Sequence, residues 1–220
     1  RRQDIRAYVS SAHVGSMGAI LALGRGEAQL GGVHLLDEQD GSYNVSYVER
    51  YIPNGGVALV ECVRRAQGLI VAKGNPLGIS SVRDLTQPRV RYVNRQKGAG
   101  TRVLLDYLLQ QNDVNRADIA GYEREEMTHT AVAAQIAAGS ADCGLGILAA
   151  ARMYDLDFIP VCEETYDLLI SLDAMNNPQV RAFLRVLASE SFLRRLDALG
   201  GYSYDKPGRI KKIWPEQQEE

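Results

Sequence analysis

The chain has 220 residues, of which 45% are hydrophobic and 24% charged, with a formal net charge of −2. This length holds one large domain or two small lobes and buries a proper core without disulfide staples. The near-neutral balance excludes a strongly basic nucleic-acid binder, and no apolar run approaches the roughly 20 residues needed to span a bilayer. No signal peptide is recognisable. Cys62, Cys143 and Cys162 are odd in number and widely spaced among apolar residues. They read as small buried hydrophobes in a reducing compartment, so a cytoplasmic location is expected. The chain opens Arg1-Arg2 without methionine and is expected to be part of a longer protein.

In chain order, Ile5–Val9 predicts a strand, Gly15–Leu23 a helix and Leu30–Leu35 a second strand. Val57–Val63 and Gly68–Ala72 are apolar, β-rich runs. Ser81–Leu85 predicts a short helix capped by Ser80 or Ser81 and closed by Pro88. Strand Val90–Asn94 and helix Thr101–Gln111 follow, with a break at Asn112-Asp113. Thr128–Ala138 predicts a helix, Cys143–Ile147 a strand and Ala149–Tyr154 a helix. Phe158–Val161 and Leu168–Ser171 predict strands. Pro178–Leu187 and Ser191–Leu199 predict helices that end at Gly200-Gly201, before a polar tail, Lys211–Glu220, expected to fray. This alternation points to an α/β architecture with mainly parallel sheets and helices on both faces.

The segment Arg91–Arg102 reads as strand, glycine loop and helix start. Gly98 and Gly100 allow a tight turn, Thr101 is a plausible N-cap, and Arg95, Lys97 and Arg102 add charge to an already positive helix end. Such a loop favours an anion, although a plain capped helix after a strand reads equally well. It is not a nucleotide P-loop, because no Gly-Lys-Ser/Thr closes it. An internal echo accompanies it. Ala22–Leu35 and Ile136–Ile147 share the plan of helix end, glycine stop and strand, with Gly26 and Gly139 as the stops. Gly31-Gly32 and Gly144/Gly146 mark strands that another backbone or a ligand approaches closely. Two similar units suggest two lobes.

The motifs His13-Val-Gly-Ser-Met-Gly18, Gly32-Val-His-Leu-Leu-Asp37, Tyr43-Asn44 with Tyr47, and Arg65-Ala-Gln-Gly-Leu-Ile-Val71 occur together with Val93–Asp106, Gly121–Glu125, Thr128-His129, Gly139–Gly146 and Tyr166-Asp167. Through them the chain resembles the periplasmic-binding-protein-like (type II solute-binding) domain found with MoeA-type molybdopterin biosynthesis domains or helix-turn-helix regulators. That family is related to molybdate- and tungstate-binding proteins. The resemblance covers about residues 5 to 205 and implies a two-lobed fold. Lobe I would comprise about 1–70 plus 165–220 and lobe II about 71–164, without the family's N-terminal strand–helix unit. It also implies a non-catalytic domain that binds a small oxyanion, molybdate- or tungstate-like or molybdopterin-related. A fused or partner molybdopterin-biosynthesis or DNA-binding domain is implied too, with no cofactor, no metal, no membrane and no direct nucleic-acid contact by this domain. The ligand-binding residues implied are His13, Gly15, Ser16, Asn94, Arg95, Gly100, Thr101, Arg102, Thr128 and Tyr166.

Several of these residues have a plainer role open to them. Ser16 could cap its helix, and Arg102 could pair with Asp106 at i+4. Tyr166 and Asp167 could dock the returning chain, Asp142 could orient a loop, and Arg64 and Arg65 could form ion pairs at the hinge. His13, His34 and His129 fit no metal-ligand spacing. Two other functions compete with ligand sensing: an interaction module with a degenerate cleft, and a hydrolase using Ser10, Ser11, His13 and Asp142. The second lacks any Gly-x-Ser-x-Gly elbow.

Overall fold

The computed structural model describes residues 8–215, so residues 5–7 of the expected first strand lie outside it. The chain runs α1 (Gly15–Gly24), β1 (Leu30–Val33), α2 (Val45–Tyr51) and β2 (Val57–Val71), then β3 (Asn94–Arg95) and α3 (Gly100–Gln111). It continues through β4 (Glu125–Glu126), α4 (His129–Ala137), β5 (Cys143–Ile147), α5 (Leu148–Met153) and β6 (Asp157–Ser171). The last elements are α6 (Leu172–Met175), α7 (Pro178–Leu187), α8 (Glu190–Leu199), β7 (Tyr202–Ser203) and β8 (Ile210–Trp214). Short 3-10 turns at Val82–Thr86 and Arg116–Asp118 complete it, the first capped by Ser81 as expected. Among the described residues no helix is long and apolar enough to cross a membrane.

The spine of the molecule is the antiparallel pair β2 and β6, 15 residues each. The sequence suggests four short strands here, because Arg64–Gln67 and Cys162–Asp167 interrupt the apolar pattern. The structure makes two long ones. Arg65, Gln67 and Glu164 stay in the ladder because their side chains find partners in a buried polar cluster between the lobes, while Arg64 and Glu163 pair with each other on the exposed face, so the backbone has no cause to turn. One edge of β2 holds β6 along its whole length, and the other holds β8, β7 and β5 in succession. β1 pairs with the outer edge of β6. All these ladders are antiparallel, contrary to the mainly parallel sheets expected. Among the described residues parallel pairing joins β3 to β4 and Tyr92 to Cys143. The reason is the crossing itself: β2 carries the chain from one lobe to the other and β6 carries it back, and the remaining strands of the large sheet pair onto those two. The β2–β6 register shifts between Glu61 and Val63 and again between Gln67 and Gly68, so bulges bracket the crossing and bend it there.

Apolar packing divides accordingly. One pair of clusters centres on Ile20, Leu35, Leu59 and Leu169, and on Val60, Ile170, Val180 and Leu196. The other pair centres on Leu69, Leu85, Tyr92 and Leu105, and on Ile70, Val93, Val132 and Ile136. The helix stops behave as the sequence suggests, and identically. Gly26 donates to the Leu23 carbonyl and Glu27 to Ala22; Gly139 donates to Ile136 and Ser140 to Gln135. Both glycines have φ near +70°, so both stops are Schellman turns.

Other details depart from expectation. The tail pairs with β2 as β8, because Lys211 reaches the buried Asp167 at 2.8 Å and Trp214 is buried. Residues 216–220 lie outside the description. Helix α2 lacks a marked sequence signal. It starts from Asn44, buried and at φ 72°, whose side chain accepts from Leu35 N and donates to Asp167.

Candidate functional site

Helices α1 and α3 point their N-termini at each other between the lobes. Gly15, at φ +72°, opens α1, and Met17 N donates to the Gly98 carbonyl at 3.2 Å. A Cβ on Gly100 would stand 2.2 Å from the His34 carbonyl oxygen, so the loop before α3 lies directly on the end of β1. The N-caps are Val14 and Ala99, not Ser16 and Thr101. Both hydroxyls are instead drawn into the cleft wall. Ser16 Oγ accepts from His34 N at 3.2 Å, and Thr101 Oγ1 accepts from Gln67 Nε2 at 3.0 Å.

Behind these helix ends lies a buried polar cluster carried by the crossing strands. Arg65 Nε donates to Glu164, and His34 Nδ1 lies 3.1 Å from the other carboxylate oxygen. An ionised carboxylate only accepts, so Nδ1 carries the hydrogen. Glu164 is 1% exposed, and the Arg65 and His34 side chains are about a tenth exposed. Tyr166 lies between them, its ring centroid 5.3 Å from that of His34 and 4.5 Å from the Arg65 guanidinium carbon. Gly32 makes room for that ring: a Cβ there would meet the Tyr166 hydroxyl at 1.8 Å. The strand glycines thus admit neighbouring parts of this chain. Gly31 faces Ala19, Gly144 faces Val132, and Gly146 faces Ile70 with His129.

Arg95 enters from the other lobe. It donates to the carbonyls of Glu126 and Met127 and to Gln96 Oε1. Burial, and then the neighbouring Arg65 cation, bring its guanidinium down to about 10, so it remains charged at neutral pH. Burial pushes the Glu164 carboxyl up, but the facing His34 ring and Arg65 outweigh this and hold it well below the usual carboxylate range. His34 and His129 are lowered, first by burial; Glu164 partly opposes this while Arg65 and Arg95 add to it. Among the described residues, four buried side-chain polar atoms have no hydrogen-bond partner: Gln67 Oε1, Gln96 Nε2, His129 Nδ1 and Asp167 Oδ1.

A pH prediction follows from the two imidazoles. Their folded pKa values lie below the unfolded 6.5, so the unfolded chain binds more protons. Stability therefore falls as the pH drops below 6.5 toward the folded values, by up to ~1.4 kcal/mol per pH unit for each histidine. Urea midpoints at neutral and mildly acidic pH test this. A midpoint independent of pH in that window would show that both rings accept protons freely in the folded state.

The residues singled out by resemblance fall into two groups. Ser16, Gly100, Thr101, Arg95 and Tyr166 converge on the cleft, together with Gly15. The other four do not join them. His13 is exposed ahead of α1. Asn94 accepts from Arg95 N and donates to the Tyr122 carbonyl. Arg102 stacks on Tyr122 at 4.1 Å and pairs with Glu125 at 3.2 Å and Asp106 at 3.6 Å, so the i+4 contact is present. Thr128 caps α4 by accepting from Ala131 N at 3.0 Å. Thr128→Ala should cost about 1 kcal/mol, read as a lowered urea midpoint; unchanged stability would mean another group caps that end.

The hydrolytic set does not come together: Asp142 is held by Arg91 through its backbone and guanidinium, and Ser10, Ser11 and His13 are exposed. Arg64 pairs with Glu163 at 3.6 Å on the exposed side of the same ladder. Sequence reasoning left out the cluster's centre, His34, Arg65, Gln67, Glu164 and His129, as ligand residues. The one signal available was the charged break in two otherwise apolar strands.

Two α/β lobes joined by crossing strands, with a polar cleft between helix N-termini, define a binding protein of the type II solute-binding fold. The chain belongs to the PBP superfamily domain family, whose model matches residues 1–188; its members are binding proteins rather than enzymes. It is 37% identical over 196 residues to the uncharacterized protein YvgK of Bacillus subtilis, covering 89% of this chain and 63% of that one. It is 34% identical over 109 residues to an uncharacterized protein from the 5′ region of a ferredoxin gene of Clostridium pasteurianum, covering 49% of this chain and 96% of the relative. The fold is shared at a TM-score of 0.62 and 11% identity with a putative phosphate ABC transporter substrate-binding protein holding phosphate, from Clostridium perfringens (88% of this chain, 86% of that one). At 0.57 and 13% it is shared with the regulatory domain of MetR, a LysR family regulator from N. meningitidis (90% and 82%).

Proposed function

We propose that this domain binds a small oxyanion between its lobes and signals by lobe closure. The carrying observation is the charge of the cleft: two buried guanidiniums, Arg65 and Arg95, face one carboxylate, Glu164, with both imidazoles held neutral. An anion there would be met by charge-assisted hydrogen bonds and by two positive helix ends. The unpartnered Gln96 Nε2 supplies a further donor. Molybdate, tungstate or a molybdopterin-related anion is the ligand class we favour, from the motif resemblance. The output would pass to an attached molybdopterin-biosynthesis or DNA-binding domain in the cytoplasm. That reading is supported by the greater length of the Bacillus relative, of which this chain spans 63%.

Isothermal titration of the longest available form of the protein with molybdate, tungstate, sulfate and phosphate tests the proposal. Saturable heat with at least one is expected, and no heat with any of them would exclude an oxyanion site. One observation favours a second reading, an interaction module whose cleft is permanently shut. Met17 N, an amide an anion would need at the α1 end, already donates to Gly98 across the lobes. An anion seated against Thr101 in a crystal would rule that out.

A further inference from the structure

Resting on the anion reading above, the charge balance inside the cleft also bears on which anions it takes. Around Glu164 stand His34 just after β1, Arg65 and Gln67 from β2, Arg95 from β3, His129 from α4 and Tyr166 from β6. Tyr202 on β7, Tyr43 before α2, and Cys62 and Cys162 stand beside them, and burial raises all four; Asp167, which faces Cys62, is balanced by Lys211 at 2.8 Å. The two tyrosines and two cysteines are uncharged at neutral pH. Two fixed positive charges and one negative leave the cleft with one net positive charge. It is closed by the Met17–Gly98 bond and by Gly100 against His34, so the imbalance is shielded from water. Charges in such a place are costly unless matched.

We infer that Glu164 sets the charge of the ligand: the cleft takes a singly charged anion directly, and a doubly charged one only together with one proton, which His34 accepts. His34 is placed for this because its Nδ1 already donates to Glu164, a contact that strengthens when the ring becomes a cation. Without the Glu164 carboxylate the cleft would carry two net positive charges and match a dianion unaided.

Perrhenate and tungstate separate the possibilities, being tetrahedral oxyanions of one and two charges at neutral pH. Titrations in two buffers of different ionisation enthalpy give the protons exchanged on binding. Perrhenate is expected to bind with almost none, and tungstate with uptake of about one proton. In Glu164→Gln that uptake should vanish, and the tungstate-to-perrhenate affinity ratio should rise by roughly tenfold or more. Tungstate binding to the unaltered protein without proton uptake overturns the inference while leaving the anion site intact, and needs no variant. If neither of these anions binds, nor molybdate, sulfate or phosphate, the anion reading falls and this inference with it.

Discussion

Glu164→Ala is expected to destabilise the domain by about 3–5 kcal/mol, because it removes one partner of a buried ion pair and leaves Arg65 uncompensated. Glu164 is 1% exposed and also holds His34, so two buried donors lose their acceptor together. For a protein of this size that loss should lower the melting temperature by roughly 6–20 °C. The mechanism makes a second demand. Replacing both partners with apolar residues, Arg65→Met with Glu164→Leu, removes the stranded charge and should recover most of the loss. Differential scanning calorimetry of the two variants decides it. A single variant that melts at the wild-type temperature would mean that water reaches Arg65, which contradicts its burial.

Gly100→Ala is expected to prevent the lobes from closing. Its Cβ would lie 2.2 Å from the His34 carbonyl oxygen and 2.4 Å from His34 Nδ1. The carbonyl belongs to the backbone at the end of β1 and cannot rotate away, so relief has to come from separating the lobes. Relieving a clash of this kind costs about 1–3 kcal/mol, and charged to the closed state alone it weakens anion binding by roughly 5- to 150-fold. Each lobe keeps its own apolar clusters, so the variant should remain folded while its radius of gyration by small-angle X-ray scattering increases. Gly26→Ala is the control. It carries left-handed strain that Gly100 lacks, at φ +70°, but has open space around the Cβ, so it should cost stability without touching binding. Full affinity and unchanged dimensions in Gly100→Ala would show that closure does not bring these two segments together.

Much of the local structure was legible because its causes are local. The stops at Gly26 and Gly139 follow from glycine's access to positive φ, and the amphipathic run after Gly100 forms a helix on its own pattern. The reading of Arg91–Arg102 as an anion loop identified the right neighbourhood but weighted the wrong side chains. Arg102 and Asn94 carry charge or amide groups in the expected place, yet both are spent on Tyr122 and its surroundings. Arg65 and Glu164 were passed over because they sit 99 residues apart in the chain. Each looks, in sequence, like a polar interruption of a strand, and nothing in a single segment reveals that the two interruptions face each other.

The sequence by itself therefore determined the α/β class, the helices other than α2 and α6, most strands, the repeated helix–glycine–strand plan and the positive helix ends, since periodicity, capping and glycine conformation act over a few residues. Only the tertiary structure decided that β2 and β6 are continuous antiparallel crossings, that the tail closes the sheet as β8, and that the centre of the cleft is Arg65, Glu164 and His34. Those outcomes depend on long-range pairing, where a buried charge keeps its place in a strand because its counter-charge arrives from the returning chain.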